Sequence, residues 1–200
     1  MALSRTTTLA GLLTIAALFA SPAAFAHVGH GDTQGFISGF SHPFSGWDHI
    51  LAMVAVGIWA AQLGRAALWA LPLAFPLLMA SGGVAGMAEL NVPGIEAGIA
   101  LSSVVLGVMV FARVRMQVLL AAALVGTLAL FHGYAHGAEL PASTNGVYYA
   151  IGFVVGTLVL HLIGMTAGFV HQTRTGSLAL RGIGAGIAGA GALFLMAAVS

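Results

Sequence analysis

From Pro43 to Val199 the chain is a succession of six apolar stretches, each close to the length a helix needs to cross a bilayer core. They run from Pro43 to Leu63, Ala66 to Met87, Pro93 to Ala112, Met116 to His136, Gly146 to Val170 and Leu178 to Val199. The breaks between them are short, carry nearly all the charge, and leave no room for a soluble domain. Hydrocarbon offers the backbone no hydrogen-bonding partner, so each stretch must satisfy its own N–H and C=O groups, as a helix does. The expected fold is all-α: a polytopic membrane bundle of six transmembrane helices. Charge content supports this, since 6% of residues are charged where a soluble domain carries about a quarter.

Residues 1–26 read as a secretory signal peptide. A single basic residue, Arg5, precedes an apolar stretch from Leu9 to Ala20, followed by Ser21-Pro22 and the small-residue site Ala24-Phe25-Ala26. An uncleaved first helix is the alternative, but the apolar core is short for a span. Cleavage would leave residues 27–200 as the transmembrane domain, starting at His27. Arg65, Arg113, Arg115, Arg174 and Arg181 all fall at breaks on one side, whereas Glu89, Glu96 and Glu139 fall on the other, with Asp32 in the leading tail. The positive-inside rule then puts the arginines in the cytoplasm and the N-terminus in the periplasm, in agreement with a signal peptide. The expected location is a bacterial inner membrane, with lipid as the surrounding partner.

Small residues recur inside the spans, at Gly82/Gly86, Gly152/Gly156, Gly164/Gly168 and along Gly182–Gly191. They allow close backbone approach within one bundle, a homo-oligomer face being the alternative. Pro72 and Pro76 are expected to kink the second span. The net charge of +1 provides no basic patch for a nucleic-acid partner. With no cysteine there is no disulfide, thiolate metal site or cysteine nucleophile.

Ionisable groups at membrane depth are costly and so mark function. The first cluster is His42-Pro43-Phe44-Ser45-Gly46-Trp47-Asp48-His49. On one helix, His42 and His49 would share a face, with Asp48 adjacent and Pro43 in the first turn. Imidazole with carboxylate suits nickel, zinc or cobalt. The second cluster runs from Phe131 to Glu139, where His132 and His136 have i, i+4 spacing. Span direction places both clusters at one depth, on the periplasmic side, where they can form a single metal site. Glu96 begins the third span on that side and either joins the site or stays hydrated. His161 lies about 15 residues, ~22 Å of helical rise, inside the fifth span. It is either an inward step for the metal or an imidazole hydrogen-bonded to a neighbouring helix. His27 and His30, with Asp32, would capture metal outside or form a tail.

The His42–His49 segment resembles the H-P-x-x-G-x-D-H signature of the HupE/UreJ family, and Phe131–Glu139 resembles its second motif, F-H-G-x-A-H-G-x-E. The resemblance extends to the signal peptide, the histidine at the mature start, six spans and the Leu160-His161 pair. It implies a secondary permease for nickel, and sometimes cobalt, that supplies hydrogenase or urease maturation. It further implies that His42, Asp48 and His49 matter most, followed by His132, His136 and Glu139. The metal would be a transported substrate, with no permanently bound cofactor, and the protein not an enzyme.

No P-loop or other nucleotide-binding signature is present, so transport would draw on a gradient or on cytoplasmic trapping. An intramembrane zinc-dependent hydrolase is the competing reading, with Ser41, Ser45 and Tyr134 near the ligands in sequence. Against it stand the expected position at an open outer edge and the lack of HExxH. A third reading is an accessory protein for hydrogenase or urease assembly that moves no metal.

Overall fold

The computed structural model describes residues 32–140 and 145–200; residues 1–26, His27 and His30 lie outside the described residues. The chain enters by a helix, α1 (Asp32–Ser41), so Asp32 opens an element and is not part of a tail. A 3-10 turn, His42–Phe44, follows, and then α2 (Trp47–Leu63). Across this break the axis turns by 80°, so the apolar stretch expected from Pro43 to Leu63 is not one straight helix, and helix precedes Pro43. Pro43 sits in the first turn of the 3-10 helix, and Gly46 is extended (φ −112°, ψ 129°) as the N-cap of α2. His42 and His49 therefore do not share one helix face.

The remaining helices are α3 (Ala67–Met87), α4 (Ile95–Ala112), α5 (Val118–Ala138), α6 (Gly146–Gly168) and α7 (Arg174–Val199), with a 3-10 turn, Phe169–Gln172, before the last. Among the described residues, five segments are long and apolar enough to cross a membrane, and six if the bent α1–α2 pair counts as one. α3 is one unbroken helix that includes both Pro72 and Pro76. Large apolar side chains face outward all round the described bundle, Trp69 on α3, Leu119 on α5, Val147 on α6 and Leu193 on α7 among them. Water would not tolerate so much exposed hydrocarbon, and a bilayer is its matching solvent. This is a multi-pass membrane protein.

Packing pairs α3 with α5, α4 with α7, and α6 with both α1 and α2. Glycine makes the closest of these approaches possible. A Cβ at Gly133 would run into the carbonyl oxygen of Met79, and one at Gly137 into that of Gly83. The second motif thus carries two stripes, each with i, i+4 spacing. His132 and His136 form one, while Gly133 and Gly137 form its neighbour, which seats α5 on α3. On α7, Gly184 and Gly191 press against α4, whereas Gly182, Gly186 and Gly189 meet nothing within 4 Å. Near the arginine-bearing end, Trp59 Nε1 donates to Val114 O (3.0 Å) and Gln62 Nε2 to Val110 O (3.3 Å), tying α2 to α4.

Candidate metal site

The break before α2 determines how the first motif presents its side chains. Asp48 lies in the first turn of α2, where the partial positive charge of the helix terminus favours a carboxylate. Its Oδ1 accepts the backbone N–H of His49 (2.9 Å) and also the His49 Nδ1–H (3.0 Å). That second bond holds the proton on Nδ1 and leaves the Nε2 lone pair outward, the arrangement by which a carboxylate orients a metal-binding imidazole. Gly46 leaves space for it, because a Cβ there would meet Asp48 Oδ1 and His49 Nδ1.

His49 Nε2 points at His136 Nε2, 2.5 Å away. Two imidazole nitrogens at this distance cannot both present lone pairs to one another, so the pair shares a proton as it stands. Ligation of one cation by both would require them to move apart, since metal–imidazole bonds are about 2.0–2.1 Å. His136 Nδ1 is buried and has no hydrogen-bond partner. The ring of His42 meets that of His136 edge-on at 4.6 Å, and His49 meets His132 likewise at 4.6 Å. Four imidazoles from the 3-10 turn, α2 and α5 thus form one continuous cluster. Glu139, the exposed residue following α5, completes it: His42, His136 and Glu139 offer ligand atoms all within 4.8 Å of one another.

His132 lies one turn deeper than His136 and is fully buried. The Ser102 hydroxyl donates to Ile99 O (2.6 Å), so its oxygen accepts from His132 Nε2–H (2.7 Å). His132 Nδ1 then carries a lone pair that has no partner. Leaving such an atom buried costs on the order of 1–3 kcal/mol. Beyond His132 lies Phe75 on α3, its ring 5.7 Å from His132 and 5.3 Å from His161. His161 is fully buried, and neither ring nitrogen has a partner, so it is not the helix-bridging imidazole that was the alternative. Thr157, one turn from it on α6, has an unpartnered buried hydroxyl, and Gln62 an unpartnered Oε1.

The structure thus brings together His42, Asp48, His49, His132, His136 and Glu139, and places His161 apart behind Phe75. Glu96 is exposed and outside the cluster, but it shares with Asp48 a cleft of about 470 Å³ between the starts of α2 and α4 and the end of α7. The cluster runs from an exposed rim inward: Glu139 is exposed and His42 and Asp48 are half-buried, whereas His49, His132 and His136 are buried. Here α1 packs on α6, and the turn behind it lays His42 against Tyr149 and Phe153. Ser102 and Phe75 were not anticipated from sequence. A serine or phenylalanine inside an apolar span carries no local signal, and only a neighbouring helix reveals its role. The hydroxyls proposed for hydrolysis are turned to backbone carbonyls: Ser41 to Ser38 O (3.1 Å), Ser45 to His42 O (2.6 Å), and Tyr134 to Leu90 O.

Comparison with known proteins matches residues 15–194 to the model of the family described as HupE / UreJ protein. The chain is also similar to Protein HupE of Rhizobium leguminosarum bv. viciae, 45% identical over 184 residues, which is 92% of this chain and 95% of that one. No solved structure matches it significantly.

Proposed function

Because the chain belongs to the HupE/UreJ family, we propose that it is a secondary permease that takes up a divalent transition metal, nickel before cobalt or zinc, from periplasm to cytoplasm. The observation that carries this reading is the four-imidazole cluster flanked by Asp48 and Glu139, in which His49 and His136 meet nitrogen to nitrogen and the buried Nδ1 atoms of His132 and His136 have no hydrogen-bond partner. Nitrogen and carboxylate donors of this kind suit nickel, copper or zinc, and affinity alone does not choose among them. The client would be hydrogenase or urease maturation, as the family resemblance implies.

In this reading Glu96 collects the cation at the mouth of the cleft it shares with Asp48. His42, His49, His136 and Glu139 replace its water, and Asp48 keeps His49 oriented to bind. The His132 Nδ1 lone pair receives the ion one turn deeper, and His161 offers the next donor past the Phe75 ring. A site satisfied only by its cargo suits transport, because the ion must both enter and leave. The inner-membrane location, the periplasmic N-terminus, a signal peptide over residues 1–26 and metal capture by His27 and His30 belong to the same proposal.

The test is nickel accumulation, by radioisotope or ICP measurement, in cells that express this protein alone. Uptake above that of cells lacking it is expected. No uptake by correctly inserted protein would overturn the permease reading in favour of an accessory role.

A further inference from the structure

At the end of the bundle opposite the histidines, four of the chain's six basic residues line one cleft of about 510 Å³: Arg113, Arg115, Arg174 and Arg181. We propose that this cleft binds the phosphate of an anionic phospholipid headgroup, independently of metal transport. Three observations carry the inference. The first is charge without compensation. Asp48, Glu89, Glu96 and Glu139 are at the far ends of their helices, and no arginine forms an ion pair among the described residues.

The second is how the cleft is built. Arg113 closes α4 in the left-handed region (φ +52°), a position usually given to glycine. That turn carries its guanidinium to the start of α7, where Nη1 donates to Ser177 Oγ (2.9 Å). The remaining N–H groups of its fork stay available for an oxyanion, which guanidinium matches well. The same cleft holds Thr173 and Arg174, the N-cap and first residue of α7, so the positive helix terminus adds to the field. Arg181 is held over the Phe111 ring at 5.1 Å.

The third is the setting, which selects a lipid as the source of the phosphate. Leu178 lines the cleft and is 61% exposed, and the adjoining Phe169 and Val170 are also exposed. Apolar side chains beside a basic pocket at a helix end suit acyl chains below a headgroup. In the expected orientation this is the cytoplasmic leaflet, where anionic lipids interact with arginine-rich segments.

The experiment is native mass spectrometry of the purified full-length protein with phosphatidylglycerol and with phosphatidylcholine of the same acyl chains, in the presence and absence of inorganic phosphate. Phosphatidylglycerol is expected to stay bound through a competing millimolar phosphate addition, while phosphatidylcholine does not bind. Arg174→Gln and Arg115→Gln should each weaken phosphatidylglycerol binding about fivefold. Both side chains are exposed, so an unchanged unfolding temperature serves as the folding control. Equal retention of both lipids, unaltered binding in both variants, or displacement by phosphate alone would each overturn the proposal.

Discussion

His49 Nε2 and His136 Nε2 lie 2.5 Å apart although 87 residues separate them in the chain. One belongs to α2 and the other to α5, and the Asp48 carboxylate behind His49 decides which nitrogen faces the contact. The first prediction follows from this pair. Asp48→Asn keeps an acceptor oxygen but removes the charge that orients His49. Nickel affinity of the purified protein, read by calorimetry, should fall roughly 10–100-fold, the usual cost of losing such an orienting group. His136→Ala should lower uptake further still, and affinity unchanged in both variants would remove this pair from the site.

Ser102→Ala tests the deeper step. It strips the acceptor from His132 Nε2–H and leaves that buried N–H unpaired. The expected loss of stability is about 1–3 kcal/mol, seen as a lower unfolding temperature in detergent, with slower nickel uptake. Ser102→Thr retains a hydroxyl and should recover part of the uptake if the tautomer matters.

His161→Leu separates function from folding. Two buried nitrogens without partners make His161 a liability to the fold, so an apolar residue of similar size should leave stability equal or raised by about 1 kcal/mol. Nickel uptake should nevertheless decline. A stabilised variant with full uptake would remove His161 from the path.

Two glycine substitutions should differ sharply. Gly133→Ala drives a methyl group into the Met79 carbonyl at the α3–α5 contact, and overpacking of this kind costs typically 1–3 kcal/mol. Gly189→Ala adds its methyl to open space on α7 and should be neutral or stabilising, by up to about 1 kcal/mol. Thermal unfolding of the two variants in one detergent makes the comparison.

Much of the site was legible in the chain because its residues are anomalies against an apolar background. His42, Asp48, His49, His132, His136 and Glu139 stand out where hydrocarbon leaves few polar side chains, and span direction alone puts both clusters at one level. The bend was not legible. Pro43 and Gly46 are consistent either with the first turn of a straight helix or with a break, and it is the seating of α1 on α6, through Gly39 and Gly152, that decides between them. Ser102 and Phe75 were likewise invisible, since each acquires its role from His132 on another helix.

By itself, then, the sequence determined the solvent, the helical class with most of its long helices, and the residues worth testing. These depend on local quantities: apolar length and backbone satisfaction. Only the tertiary structure decided that His49, His132 and His136 are buried behind a bent first segment, that Ser102 sets the tautomer of His132, that Phe75 stands between His132 and His161, and that four arginines converge on one cleft. Those relationships depend on which helices touch. In a bilayer that choice is made by small residues and shape over the whole bundle, since hydrophobicity there favours no one helix pair above another.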